Sequence, residues 1–160
     1  MNNKTIWILN HYAITPHQGG GTRHYSFAKE LVKRGYCVYV FSSSRTHNTG
    51  ENMLDEGEKS REELIDGIHW VWIQTSYYSG NGLDRIKSML EYYRFMMKEY
   101  GRYKKPDVII GSSVHPLACL AGIRISKRTG SKCISEIRDL WPQTLIDMGK
   151  LAKNSPMAAR

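Results

Sequence analysis

The sequence predicts an α/β protein, a Rossmann-like doubly wound parallel sheet in one domain over residues 1–160. Three observations carry this. Short runs such as Ile6-Trp7-Ile8-Leu9 and Val38-Tyr39-Val40-Phe41 are apolar without alternation, as in parallel strands covered on both faces. Segments of helical periodicity separate those runs. Glycine and proline fall at the junctions: Gly19-Gly20-Gly21, Gly35, Pro106 and Gly130.

In chain order, Thr5 to Asn10 is the first strand, followed by a polar loop that ends in the three glycines. Thr22 is placed to cap a helix whose inward residues are Phe27, Ala28, Leu31 and Val32, and which Gly35 ends. Cys37 to Phe41 is the second strand, completing a βαβ unit. Residues 42–67 are polar and aperiodic, and they read as a loop excursion with a fragment of helix. Ile68 to Ile73 is the third strand. The longest helix signal follows over 83–105, with Leu83, Ile86, Leu90, Tyr93, Met97 and Tyr100 as its apolar stripe and Pro106 as its stop. Val108 to Ile110 is the fourth strand. A helix opened by His115-Pro116 packs Leu117, Ala118, Ala121, Gly122 and Ile125 inward, and residues 132–137 form the fifth strand. No strand closes the chain after it, so the expectation is the N-terminal piece of a larger protein.

Hydrophobic residues make up 41% and charged residues 24%, the balance of a folded protein rather than a disordered one. Lys and Arg number 23 against 15 Asp and Glu, a net charge of +8, which favours anionic partners. No nucleic-acid-binding motif accompanies that charge. Cys37, Cys119 and Cys133 show no paired spacing and sit in apolar stretches, so reduced, buried thiols are expected. No signal peptide opens the chain, and no run approaches the roughly 18 apolar residues of a membrane span. The expected location is cytoplasmic.

The chemistry gathers at the carboxyl ends of the predicted strands, where open α/β sheets bind ligands. Gly20 and Gly21 lie between a strand and a helix N-terminus, where backbone N–H groups approach an anion; a plain tight turn would use the same residues. The loop matches neither Gly-x-Gly-x-x-Gly nor the P-loop pattern. Arg138 and Asp139 follow the fifth strand, the first as an anion contact and the second as a general base or a salt-bridge partner. His115 begins a helix after a strand and can donate to a ligand oxygen or carry a proton, or equally be a solvated cap of that helix, while His11 lies near the glycine loop. No histidine spacing fits a metal site and no Asp-x-Asp occurs. On the long helix, Arg85, Lys87, Arg94, Lys98 and Arg102 form either a solvated back or a membrane-contacting face.

Leu9-Asn10-His11-Tyr12, Gly19 to His24, Gly67-Ile68-His69 through Gly80-Asn81-Gly82, Asp107 to Ser113, and Glu136-Ile137-Arg138-Asp139-Leu140-Trp141-Pro142 together resemble the N-terminal domain of bacterial family 4 glycosyltransferases. The similarity is to the GT-B-fold branch that builds O-antigen and capsular polysaccharide, and it runs over nearly the whole chain. The resemblance implies an acceptor-side Rossmann-like half, with a C-terminal donor-binding half absent from this chain. It implies a retaining, metal-independent transferase that needs no cofactor beyond its nucleotide-sugar co-substrate. It places Gly20, Gly21 and Arg138 at the donor diphosphate, His11 and His115 on the acceptor side, and Asp139 as base or sugar contact. The acceptor it implies is a saccharide on a polyprenyl diphosphate, met at the inner face of the plasma membrane. The family's Glu-x7-Glu belongs to the missing half. Glu91 and Glu99 match its spacing, but eight residues of helix rotate them roughly 80° apart, so the match is coincidental. On these terms the 160-residue piece is not expected to transfer sugar alone.

Two other readings remain. One is a non-catalytic Rossmann-like subunit that recruits a partner to the membrane. The other, a nicotinamide-dependent oxidoreductase, is disfavoured because Ser42-Ser43-Ser44 stands where an acidic ribose-binding residue would follow the second strand.

Overall fold

The computed structural model describes residues 4–46, 49–78, 82–113 and 115–138. Six strands form one sheet: β1 (Thr5–Leu9), β2 (Cys37–Ser43), β3 (Ser60–Ile65), β4 (Ile68–Ile73), β5 (Val108–Ser113) and β6 (Lys132–Ile137). Three helices cover it: α1 (Arg23–Lys33), α2 (Leu83–Glu99) and α3 (Pro116–Thr129). The order across the sheet is β3-β4-β2-β1-β5-β6, parallel throughout except for β3, which runs antiparallel to β4. The protein therefore has the Rossmann-like α/β fold expected of it.

Strand parity divides the core. Ile6, Ile8, Val38, Val40, Ile68, Trp70 and Trp72 face α1, where Tyr25 and Ala28 meet them. Trp7, Leu9, Tyr39, Phe41, Val71 and Ile73 face the other way, onto Tyr92 and Met96 of α2 and Ala118, Ala121 and Ile125 of α3. β1 is buried along its whole length, which is why its sequence shows no alternation. α3 lies so close to β5 that a Cβ on Gly111 would stand 2.8 Å from the Cα of Cys119.

Three expectations need correcting. The 42–67 excursion contains an additional strand, β3. Asp66 and Gly67 both take positive φ, 49° and 80°, and turn β3 back onto β4 as a hairpin. Its charges are used across the pair: Glu62 bonds His69, and Glu63 accepts from the Trp72 indole at 3.0 Å. β3 thus carries a charged edge, which discourages pairing with other chains. The buried seam of α2 is Ser88, Tyr92 and Met96 at four-residue steps, whereas Leu83 and Ile86 are exposed. The sheet meets α2 on a line rotated from the most apolar one because Tyr92 reaches the Phe41 carbonyl and Ser88 reaches His11. Phe27 is exposed rather than core, beside Ile110 and Ile134 on an open part of the α1 face. All three cysteines are free, with Cys119 buried and the other two half-buried.

Gly111→Ala is expected to lower unfolding free energy by about 1–3 kcal/mol, because the contact is to helix backbone and has no soft side chain to yield. Urea unfolding of the variant checks this.

Candidate functional site

β1 is flanked by β2, reached through α1 on one face, and by β5, whose following helix lies on the other face. This is the point where the winding of the sheet reverses, and the crevice there is the usual ligand position in such folds. Asn10 and His11 leave β1 at this point, and His115 leaves β5 beside them.

The two histidines singled out from the sequence come together. His11 Nδ1 and His115 Nε2 are 2.9 Å apart, and His11 Nε2 is 3.2 Å from Ser88 Oγ. The His11 ring is stacked between Tyr12 and Tyr92, with centroids at 4.6 and 4.9 Å. His115 caps α3 with Pro116 behind it and is only 4% exposed. Burial, aided by the nearby charge of Arg85, lowers its pKa from 6.5 to about 4, so it is neutral at physiological pH. The hydrogen-bond pattern then permits a relay in which His115 Nε2–H donates to His11 and His11 Nε2–H donates to Ser88. Nδ1 of His115 is buried and has no hydrogen-bond partner among the described residues. Tyr12 closes this side of the crevice: Arg85 approaches both its hydroxyl, at 3.4 Å, and its ring. Burial and a hydrogen bond with Tyr12 push the Tyr78 phenol well up.

A second, charged system lies on the α1 side. Asn10 Nδ2 donates to His24 Nδ1 at 2.8 Å, and His24 Nε2–H donates to Glu136 at 3.0 Å. Arg23 forms an ion pair with the same carboxylate. Burial holds the His24 pKa below the usual histidine value against the upward pull of Glu136, and the charges of Arg138 and Arg23 lower it further. Arg138 thus sits within electrostatic reach of the first turn of α1, with its backbone N–H on Ser113 Oγ at 3.2 Å. The clamp of Asn10, His24 and Glu136 ties β1, α1 and β6 together beneath the glycine loop. Gly19 and Gly20 hold φ of 67° and 112°, values that favour glycine, and Gly20 and Gly21 are exposed. A Cβ on Gly21 would meet no protein atom within 4 Å, so packing places no demand on that residue.

The remaining candidates are placed as follows. Lys87, Arg94, Lys98 and Arg102 are exposed, but Arg85 is drawn inward to Tyr12 and belongs to the crevice, not to an outer face. Asp139, with Leu140, Trp141 and Pro142, lies outside the described residues. Glu91 accepts from the backbone and hydroxyl of Ser76, while Glu99 pairs with Arg102, so the two carboxylates serve separate purposes. Among the described residues no group of three His, Cys, Asp or Glu is placed to hold a metal ion. Nor is any described helix long and apolar enough to cross a membrane. Sequence reasoning did not single out Asn10, His24, Glu136 or Ser88 as partners at this crevice, and it placed Arg85 on the outer face of its helix. Asn10-His11 directly after a buried strand was the available signal for the first of them.

Compared with known proteins, the chain matches no family model, and no curated protein matches it significantly. The crevice therefore has to be read from its own chemistry.

The unfolded chain takes a proton on His115 below about 6.5, and the folded protein resists doing so until about 4. Folding stability should therefore fall by up to about 3 kcal/mol as pH drops through that window. His115→Gln should remove much of this slope and leave the share due to His24. Urea midpoints measured from pH 7.5 to 4.5 give the comparison.

Proposed function

We propose that this chain is the acceptor-side half of a retaining, metal-independent glycosyltransferase that moves a sugar from a nucleotide diphosphate donor to a lipid-linked saccharide. The observation that carries the reading is that Asn10 and His11, adjacent at the carboxyl end of β1, join the first turn of α1, just after the open glycine loop, on one side and the His115 ring on the other. Departure of a nucleoside diphosphate develops negative charge on its oxygens. N–H groups of Gly20 and Gly21, the positive end of α1, and the charges of Arg23 and Arg138 are the groups suited to receive it. The acceptor contributes a hydroxyl oxygen, and the His11–His115 pair, with ring nitrogens 2.9 Å apart, is the proposed contact on that side. Asp139, next to Arg138, remains the proposed base or sugar contact. The donor's nucleotide would be held chiefly by a second domain that these residues do not include.

On α2, exposed Leu83 and Ile86 at one end and Lys87, Arg94, Lys98 and Arg102 along its length support peripheral contact with an anionic membrane face. This end of the helix equally supports the reading as a membrane-recruiting, non-catalytic subunit.

The test is sugar transfer in membranes from cells expressing the gene, using a panel of labelled nucleotide sugars and polyprenyl diphosphate-linked acceptors. Label should enter the lipid fraction. Gly21→Val, whose Cβ meets no described atom within 4 Å apart from its chain neighbours, should leave the melting temperature nearly unchanged yet reduce transfer by about 10- to 100-fold, because the side chain holds the developing charge away from the backbone donors. Vesicle binding without transfer from any donor would favour the recruiting subunit.

A further inference from the structure

A cavity of about 510 Å³ opens at the carboxyl end of β4, between α2 and the segment leading into β3. Its size is that of a small-molecule site. Arg45, Lys59 and Arg94 line it against a single carboxylate, Glu91. Glu91 is already engaged by the Ser76 N–H at 2.6 Å and the Ser76 hydroxyl at 2.8 Å, so it is tied to the cavity wall. Among the described residues neither Lys59 nor Arg94 has a carboxylate within salt-bridge distance. Unneutralised cations converging on one hollow are a recognition surface for phosphate.

The lining also has a part suited to a sugar ring. Tyr77 is 58% exposed, with the Arg45 guanidinium 5.9 Å from its ring centroid. Gln74 lies on the wall beside it with amide and carbonyl groups for hydroxyls. An aromatic face, hydrogen-bonding side chains and a cationic end together match a saccharide bearing a phosphate better than either moiety alone. A recess of about 10 Å³, room for no more than a water, lies between Arg45, Thr75, Ser76 and Tyr77 on the cavity wall and His11 and Tyr12.

We infer that this cavity is a binding site for a glycosyl phosphate, with the phosphate on Arg45, Lys59 and Arg94 and the sugar against Tyr77. As the place where an acceptor lies, the site rests on the transferase reading above. As a binding site it stands on the cavity alone, and it survives if no sugar is transferred.

The experiment is calorimetric titration of the chain with glucose 1-phosphate, inorganic phosphate and glucose. In parallel, the chain is co-sedimented with phosphatidylcholine vesicles with and without glucosyl phosphoprenol. Glucose 1-phosphate should bind more tightly than inorganic phosphate or glucose. Lys59→Gln/Arg94→Gln should weaken it by about tenfold or more, whereas Lys127→Gln/Lys132→Gln, with the same loss of charge elsewhere, should change it by less than about twofold. Tyr77→Ala should weaken glucose 1-phosphate but not inorganic phosphate. Binding of the soluble ligand marks a free sugar phosphate as the source, and binding only to doped vesicles marks a lipid-borne one; either supports the site. No binding in both formats overturns it, as does an equal loss in the two double variants or glucose binding as well as glucose 1-phosphate.

Discussion

The pairing of β1 with β2 on one side and β5 on the other, in parallel and buried on both faces, sets the geometry of everything that follows. Parallel neighbours need crossover helices, and right-handed crossovers running in opposite directions from β1 must lie on opposite faces. The carboxyl end of β1 therefore emerges where neither helix layer closes over it. Asn10 and His11, the first residues beyond the strand, are delivered to that crevice by backbone topology before any side-chain interaction acts.

Those two adjacent residues take up different chemistry because they belong to different layers. Asn10 engages His24 and Glu136, a set that carries charge and anchors the first turn of α1. His11 engages His115, which burial keeps neutral, and Ser88, and tyrosine rings flank it. One side of the crevice thus carries an ion pair, Arg23 with Glu136, and the other a histidine pair packed among aromatic rings.

Much of this was legible in the residues. Continuous apolar runs identified the parallel strands, and Gly35 and Gly130 ended their helices as expected. His115-Pro116 is visible as a helix start, whereas the contact of His115 with His11, 104 residues away, is not written in either segment. What stayed hidden depends on distant partners. β3 reads as a charged loop because its carboxylates are satisfied by His69 and Trp72 on the neighbouring strand, and only Asp66-Gly67 announced the hairpin. The buried line of α2 follows Ser88 and Tyr92, whose hydrogen bonds to β1 and β2 outweigh the greater hydrophobicity of Leu83 and Ile86. Arg85 looks like one more cation on a basic helix until Tyr12 is placed against it.

The claim at the centre of this account is that the crevice above β1 is where an anionic nucleotide ligand meets the protein. Titrating the ¹⁵N-labelled chain with a nucleoside diphosphate tests it most directly. The account predicts that the amide signals of Gly20, Gly21, Arg23 and Arg138 move together on one binding curve. Shifts confined to the basic stretch from Arg94 to Lys105, or no shifts at millimolar ligand, would contradict it.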